Sequence, residues 1–343
     1  MITRNPDPVH GCDRLWQQEL GAAYREPQQL LRDLGHDPAE FAEAIAARRL
    51  FPMLVPRPFA QRMVAGDPED PLLKQVLPLG AEFIEQTGFG PDPLAEQQDG
   101  SPGPKGLLHK YQSRVLLMLR GGCAVNCRYC FRRHFPYQEA KVGQAEIDAA
   151  IAHLNADARI NELLLSGGDP LMARDDHLSR LFEQLKAARH LKRVRIHTRL
   201  PVVIPSRITD ALVTLLSEAP WPVVMVLHIN HPNEIDDAVA ATMTRLKQAG
   251  VTLLNQSVLL KGINDEGPIL AELSERLFSA GILPYYLHQL DKVQGAAHFE
   301  VSDEDARALM AQLLTTLPGF LVPRLVREIA GERSKTPIDL RLV

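Results

Sequence analysis

Three of the four cysteines in this chain lie within one short segment, in the spacing C-x3-C-x2-C. They are Cys123, Cys127 and Cys130. Three thiolates can bind three irons of a [4Fe–4S] cube and leave the fourth iron open to a small chelating molecule. A structural zinc site usually takes four ligands, so zinc would need a further ligand such as His134. Three buried thiols without a metal are the other alternative, and the tight spacing favours the cluster over both.

The elements that must position these cysteines form a repeating pattern from about residue 107 onward. Short β-rich runs alternate with amphipathic helical stretches, which is typical of a parallel sheet with right-handed crossovers. The predicted strands are 114–120, 162–167, 193–198, 223–230, 251–260 and 283–290. Six such units are too few for a closed eight-stranded barrel, so a partial barrel and an open doubly wound sheet are both compatible with the pattern. In either case the chemistry should gather at the C-terminal ends of the strands.

The first 105 residues lack this alternation and predict a helical lobe. Apolar residues recur there at spacings of three and four, as in segments 15–35 and 38–51. The segment 91–106 is rich in proline, glycine and acidic residues, which indicates a linker or surface loop. The predicted organisation is therefore an N-terminal helical lobe and linker over 1–105, followed by an α/β domain over 106–343.

The composition argues against several classes of protein. The 343 residues include 38 basic and 42 acidic side chains, and no basic block suggests a nucleic-acid partner. No apolar run approaches the ~20 residues that span a bilayer, and the N-terminus lacks the apolar core of a signal peptide. Crowded cysteines, with Cys12 far away, fit a reducing compartment better than a disulfide framework. These features predict a cytoplasmic protein with no membrane partner.

The cysteine spacing, placed directly after a predicted strand, resembles the signature of the radical S-adenosylmethionine (SAM) superfamily. In that superfamily SAM chelates the open iron and is cleaved to a 5′-deoxyadenosyl radical. The segment LLLSGGDPL (163–171) is similar to the superfamily's glycine-rich motif for the SAM amino group, although alone it would indicate only a turn between a strand and a helix. The resemblance implies a partial (β/α)6 barrel, a [4Fe–4S] cluster and SAM, with Ser166, Gly167, Gly168 and Asp169 at the SAM site.

Further segments resemble the lysine 2,3-aminomutase family, in the same order and with similar spacing. They are LLHKYQSRVLL (107–117), CRYCFRR (127–133), HINHPNE (228–234), LLNQSVLLKGIND (253–265), PYYLHQLDKVQGAAHF (284–299) and FLVPRLVREIAGERSKTP (320–337). The resemblance covers roughly residues 105–340 and is greatest to the short bacterial branch that supplies β-lysine for modifying elongation factor P. It implies an isomerase that converts free L-α-lysine to (R)-β-lysine with pyridoxal 5′-phosphate (PLP) as well as SAM. It also implies an external electron donor and delivery of the product to the ligase that attaches β-lysine to elongation factor P.

The resemblance assigns cofactor roles that the residue types alone would not. Lys335, in GERSKTP, matches the lysine that binds PLP and acts in catalysis, although most of the family's glycine-rich stretch is missing here. Lys110 and Arg114 match basic residues near the PLP phosphate, where fixed cations suit a phosphate. His228 and Gln256 match positions that contact SAM. Without the resemblance, these side chains would be interpreted as surface charges and structural polar residues.

Substrate recognition follows from the carboxylate and the distant ammonium of free lysine. Arg132 matches the family's carboxylate-binding arginine, and its planar fork suits a carboxylate. Asp291 and Glu328 match two aspartates that hold the ε-ammonium, and a cation between two buried acids relieves their repulsion. Glu328 departs from the family's aspartate by one methylene, which changes the depth expected of the lysine pocket.

Two alternatives are compatible with part of this pattern. A 2,3-aminomutase for another amino acid such as glutamate would present cations in place of Asp291 and Glu328. A non-catalytic iron–sulfur protein would show neither SAM turnover nor PLP absorbance. Longer family members carry a C-terminal extension with zinc-binding cysteines that this chain lacks, so no zinc is predicted. The sequence is compatible with a homo-oligomer, but the contacts that the extension makes in longer members must differ or be absent.

Overall fold

The computed structural model describes residues 9–96, 103–135, 142–332 and 334–341. One sheet of nine strands organises these residues, and the strands lie in the sheet in the order in which they occur in the chain. They are β1 (Leu107–Tyr111), β2 (Arg114–Arg120), β3 (Glu162–Gly167), β4 (Arg193–Thr198), β5 (Val223–Leu227), β6 (Thr252–Val258), β7 (Leu283–His288), β8 (Arg324–Arg327) and β9 (Thr336–Pro337).

The strand order decides between the two architectures that the sequence left open. Strands β2 to β8 are all parallel, and β1 and β9 pair antiparallel at the two edges. A doubly wound sheet reverses its strand order near the middle, whereas here the order rises steadily from one edge to the other. Since β1 and β9 do not pair with each other within the described residues, the barrel is open. The predicted partial barrel is confirmed.

The predicted strands match the observed ones closely at their starts and less well at their ends. The first three agree to the residue, whereas the runs predicted to reach 230, 260 and 290 stop at Leu227, Val258 and His288. Beyond the end of β5, side-chain amides take part in the hydrogen bonding: Asn230 Oδ1 accepts from the backbone N–H of Val258 at 2.9 Å, and the Asn264 amide donates to the Asn230 carbonyl at 2.9 Å.

A seventh parallel strand, β8, was missing from the prediction. Its four residues, RLVR, carry an arginine at each end and show no long apolar run. Only pairing with β7, through Leu287 and Leu325, makes it a strand. The same is true of the two-residue β9, which pairs with β8.

Helices cover the sheet and form the N-terminal region. They are α1 (Val9–Gly21), α2 (Pro27–Asp33), α3 (Ala42–Ala47), α4 (Arg57–Ala60), α5 (Pro71–Lys74), α6 (Gln144–Ala156), α7 (Asp175–Leu185), α8 (Leu200–Val203), α9 (Asp210–Ser217), α10 (Asp237–Gln248), α11 (Gly267–Ser279) and α12 (Asp303–Thr316). The 13-residue α1 and the shorter α2 to α5 agree with a helical N-terminal region. Their apolar side chains, such as Trp16 and Phe59, belong to the same continuous core as Leu165 and Ile196 of the sheet. The domain boundary at residue 105 stays a prediction, and residues 97–102 of the proposed linker lie outside the described residues.

None of the helices in the described part of the chain combines the length and the apolar character needed to cross a bilayer.

Candidate functional site

A cavity of about 1040 Å³ opens at the C-terminal ends of the parallel strands. Its lining includes every site residue that the sequence singled out: Lys110, Arg114, Cys123, Cys127, Cys130, Arg132, Ser166, Gly167, Gly168, Asp169, His228, Gln256, Asp291, Glu328 and Lys335. These residues come from the whole length of the sheet, from β1 to the segment before β9. The fold therefore brings them together, while the role of each stays a prediction.

The three cysteines occupy the loop after β2, and none of them forms a disulfide. Within the described residues, no three His, Cys, Asp or Glu side chains converge on a point where a single metal ion could sit. A cube takes each thiolate on a different iron and so needs the sulfurs apart, whereas zinc needs its ligands to converge. His134, the alternative zinc ligand, lies instead with Nε2 3.2 Å from the carbonyl oxygen of Gln294. The choice of a cluster over zinc stays a prediction that rests on the spacing of the three cysteines.

Burial changes the thiol chemistry of this loop. It raises the pKa of the Cys130 thiol to about 11, and the neighbouring Cys127 adds to that effect. It also raises the pKa of Cys123 well above its usual value, with Cys130 and Asp169 contributing. Without a cluster, the thiols of Cys123 and Cys130 are therefore protonated at neutral pH, and a cluster must displace those protons when it assembles.

A buried arginine that the sequence analysis missed contacts the cysteine loop. Arg199 Nη1 lies 2.7 Å from Cys127 Sγ and 2.7 Å from Tyr129 Oη. Its other terminal nitrogen donates to Gln75 Oε1 at 2.7 Å and to Glu234 Oε2 at 2.9 Å. A signal was available, because Arg199 directly follows β4, at the edge of the sheet where the site was expected.

A second buried charge group anchors the same loop to the N-terminal region. Glu82 accepts from Arg128 Nη2 at 2.5 Å and from Arg133 Nη2 at 2.5 Å, and all three side chains are almost completely buried. Removing one member of such a group would leave a buried charge without its partner, which is strongly destabilising. It therefore fixes where the last cysteines lie. Sequence alone gave no reason to connect Glu82 with residues more than forty positions away.

The glycine-rich loop after β3 allows the chain to approach the cysteine loop closely. A Cβ on Gly167, whose φ is +120°, would lie 2.5 Å from the Arg120 carbonyl oxygen, and one on Gly168 would lie 2.4 Å from the Gly122 carbonyl oxygen. Only glycine fits at both positions. Asp169 accepts from the backbone N–H groups of residues 171, 199 and 200 and from a threonine hydroxyl. Its carboxylate shapes the cavity wall, so its predicted part in SAM binding would be indirect.

The wall beside the cysteines carries the predicted carboxylate site. Arg132 donates from Nε and Nη2 to the two carboxylate oxygens of Glu96, both at 2.7 Å, and from Nη1 to the Gly167 carbonyl oxygen at 2.9 Å. This is the bidentate geometry in which a guanidinium binds a carboxylate. Glu96 was missed because it lies in the segment predicted to be a linker.

The cavity wall also carries two acids and the predicted PLP lysine. Lys335 Nζ lies 3.4 Å from Glu328 Oε1, while Glu328 Oε2 is buried without a hydrogen bond among the described residues. Burial raises the pKa of Asp291 to about 7. The negative charges of Glu328 and Glu96 add to this increase, and the positive charge of Lys335 reduces it. Burial also lowers the pKa of the Lys335 ammonium, against the pull of Glu328 and Asp291. A lysine with a lowered pKa supplies more of the neutral, nucleophilic amine.

Basic and aromatic side chains lie at the edge of the cavity formed by β1 and β2. Arg114 Cζ lies 3.7 Å from the centre of the Tyr111 ring, and the exposed Lys110 has its Nζ 5.9 Å from that ring. Arg195, on β4, lines the same cavity. These cations could hold a phosphate without being buried.

Histidines line the inner wall, and burial keeps them neutral. His228 Nε2 lies 3.0 Å from Tyr129 Oη, and the two rings are stacked. Burial, and to a smaller extent the positive charge of Arg199, lower the pKa of His228 to about 3. Burial also lowers the pKa of His197 and His288 well below the usual value. The Nε2 atoms of His197 and His288 are buried without a hydrogen bond among the described residues. The sequence analysis did not single out these two, although both lie near strand ends.

Comparison with known proteins assigns the chain first to a class and then to a family. Residues 118–273 match the Radical SAM superfamily, which agrees with the open barrel and the cysteine loop. The protein has a radical SAM fold. The chain is 52% identical to "L-lysine 2,3-aminomutase" of Escherichia coli K12, over 95% of both chains. It is 51% identical to the protein of the same name from Haemophilus influenzae, over 96% of this chain and 97% of the relative. The chain belongs to the lysine 2,3-aminomutase family.

Among solved structures, a radical SAM methyltransferase from Sphaerobacter thermophilus aligns with a TM-score of 0.47 and 17% sequence identity. The alignment covers 64% of this chain and 68% of that one. At this distance the match says nothing about activity.

Proposed function

We propose that this protein is a radical SAM, PLP-dependent L-lysine 2,3-aminomutase that converts L-α-lysine to β-lysine. The observation that carries the proposal is the charge pattern of one cavity. Its wall carries a guanidinium fork, two acids and a half-buried lysine, beside a loop with three free cysteines. Free lysine presents the complementary charges, and the names of the family members reported above give independent support.

The residues present fit each of the implied cofactors. Cys123, Cys127 and Cys130 would hold the cluster, with the glycine-rich loop at the SAM site. Lys335 would bind PLP covalently, and Lys110 and Arg114 would meet its phosphate. When bound, the cluster and SAM supply the radical that removes a substrate hydrogen atom, and PLP carries the migrating amino group.

The chain's own side chains would orient the substrate. Arg132 offers its fork to the α-carboxylate, which must replace the Glu96 carboxylate that occupies the fork in this structure. Asp291 and Glu328 would hold the ε-ammonium. Asp291 must release its proton to do so, because a neutral carboxyl cannot form an ion pair. These contacts fix both ends of the substrate and so fix which carbon atoms face the cofactors.

We further propose that the product is (R)-β-lysine, passed to the ligase that attaches β-lysine to elongation factor P. The support is the resemblance of the cysteine loop and of segment 284–299 to the short bacterial branch of the family. This role would place the enzyme in the cytoplasm with an external one-electron donor, and it is compatible with a homo-oligomer.

The decisive test is an anaerobic reconstitution with iron, sulfide, PLP, SAM and a strong reductant. Lysine and glutamate are supplied in separate reactions, and the products are separated on a chiral phase by mass spectrometry. We expect β-lysine from lysine and no β-glutamate from glutamate. If only glutamate is turned over, glutamate and not lysine is the substrate. If the protein carries its cluster, SAM and PLP and turns over neither amino acid, the proposal is refuted.

Removing one acid from the ammonium site should strongly reduce lysine turnover. In Asp291→Asn or Glu328→Gln, a buried cation is left half paired, which costs about 3–5 kcal/mol, or on the order of a hundred- to several-thousand-fold in kcat/KM. An exposed contact would cost less than about 1 kcal/mol. Glu300→Gln, which alters an acid paired with the exposed Lys292, is the matched control. A loss below about threefold in both pocket variants would place these acids outside the lysine site.

The raised pKa of Asp291 predicts a pH-dependent gain in stability when the charge is removed. Because the folded pKa, about 7, exceeds the usual value of 3.8, folding stability falls as pH rises from about 4 to 7. Asp291→Asn avoids that loss. The cofactor-free variant should be more stable than the parent at pH 8, by up to about 4 kcal/mol, and the gain should disappear near pH 4. Urea unfolding of both proteins at several pH values measures the difference, with the exposed Asp237→Asn as control. A gain that is absent at pH 8, or that grows as pH falls, would contradict the burial of this charge.

A further inference from the structure

The guanidinium of Arg199 is a buried positive charge aimed at a predicted cluster ligand. The residue is 7% exposed. Its Nη1 atom lies 2.7 Å from Cys127 Sγ, within the reach of a hydrogen bond to sulfur. Proteins tune iron–sulfur clusters through hydrogen bonds to the sulfur atoms and through the charge and burial around them. Arg199 supplies the hydrogen bond, the charge and the burial together.

The position of this charge is fixed from several directions. Gln75 and Glu234 accept from Nη2, and Tyr129 shares Nη1 with the cysteine. The backbone N–H of Arg199 is held by Asp169 at 2.8 Å. With both its backbone and its fork anchored, the guanidinium cannot swing away from Cys127 without breaking several buried hydrogen bonds.

Glu234 is the counter-charge on the far side of the guanidinium. Its side chain is completely buried and accepts from the backbone N–H of Asn230 at 2.8 Å. Burial alone would raise its pKa, but Arg199 and these hydrogen bonds hold the pKa below the usual value. The pair is therefore ionised, with its positive end towards Cys127 and its negative end away from it.

We infer that Arg199 raises the reduction potential of the cluster held by Cys123, Cys127 and Cys130, and that Glu234 moderates this effect. Reduction adds one electron to the cluster, taken from an external low-potential one-electron donor that is itself oxidised, and neither makes nor breaks a bond to the protein. The added negative charge is stabilised by a nearby cation in a low-dielectric interior. Arg199 is thus a positioning and tuning residue, and its effect does not depend on which amino acid the enzyme rearranges.

Glu234→Gln alone and Glu234→Gln combined with Arg199→Gln should give different midpoint potentials. Glu234→Gln leaves the arginine charge without its counter-charge, so the midpoint potential should rise. Arg199→Gln combined with Glu234→Gln removes both charges without stranding either one, so the potential should fall below that of Glu234→Gln. We expect the difference between the two variants to be at least tenfold in the ratio of reduced to oxidised cluster at a fixed potential, which is 59 mV for one electron.

The measurement is a redox titration of the reconstituted cluster followed by electron paramagnetic resonance, without SAM, PLP or lysine. Arg207→Gln combined with Asp175→Asn is the matched control. That pair is similarly buried, but Arg207 donates to the carbonyl oxygens of Leu171 and Ala173. The midpoint potential of the cluster in this control variant should equal that of the parent.

The outcomes separate this inference from the proposed function. A merely structural role for Arg199 would change cluster content or thermal stability and leave the potential of the remaining clusters unmoved, which would overturn the inference. If the double variant assembles no cluster, the Glu234→Gln variant alone provides the test. An unchanged or lowered midpoint potential in that variant overturns the inference about Arg199. A parent protein that assembles no four-iron cluster would refute the proposed function itself, whereas normal clusters with unmoved potentials would refute only the role of Arg199.

Discussion

Replacing Cys123, Cys127 or Cys130 by alanine should leave the reconstituted protein without a stable cluster and without isomerase activity. Each thiolate is expected to bind a different iron, so that losing one leaves two protein ligands for a four-iron cube. No other cysteine occurs in the loop to replace the missing one. Iron and sulfide analysis should give about four irons per chain in the parent and less than about one in each variant.

Cys12→Ala is the control for this set. Cys12 lies on α1, more than a hundred residues before the loop, and it has no place in the predicted ligand set. This variant should retain the iron content and the SAM cleavage of the parent. Normal four-iron content in any of the three loop variants would show that the cluster has another ligand.

Lys335→Ala should abolish the covalent attachment of PLP and reduce kcat/KM for lysine by at least about a thousandfold, roughly 4 kcal/mol. Lys335 combines a buried ammonium, which lowers its pKa, with a place on the cavity wall next to Glu328. In the parent, borohydride should fix a pyridoxyl group on Lys335, which peptide mapping by mass spectrometry locates. The visible absorbance of bound PLP should disappear in the variant.

The matched control is Lys292→Ala. Lys292 adjoins Asp291 in the chain, but its side chain is 55% exposed and pairs with Glu300. The Lys335 side chain is only 24% exposed and lines the cavity, whereas Lys292 is not part of the cavity lining, so this variant should bind PLP normally. A pyridoxyl group mapped to any lysine other than Lys335 would overturn the assignment and, with it, the orientation proposed for the substrate.

The class of fold and a set of candidate site residues could be predicted from the sequence. The alternation of β-rich and amphipathic segments reflects which residues are buried in a parallel sheet. For this reason the first three predicted strands match the observed ones to the residue. The three cysteines are close together in the chain, so their spacing can be recognised directly in the sequence. Lys335 is different, because nothing in its neighbours distinguishes it from the nine other lysines. Its role was predicted only through resemblance to a family.

Only the tertiary structure decided which charges meet. Arg199 and Cys127 are 72 positions apart, and Glu82 and Arg128 are 46 apart, yet both pairs are in direct contact. Such contacts depend on how strand ends and N-terminal turns pack around one cavity, and no local pattern encodes them. The altered pKa values of Asp291 and Lys335 have the same origin, since burial is a property of the assembled fold. The sequence thus named the groups that could do the chemistry, while packing set their charge and decided which partners hold them.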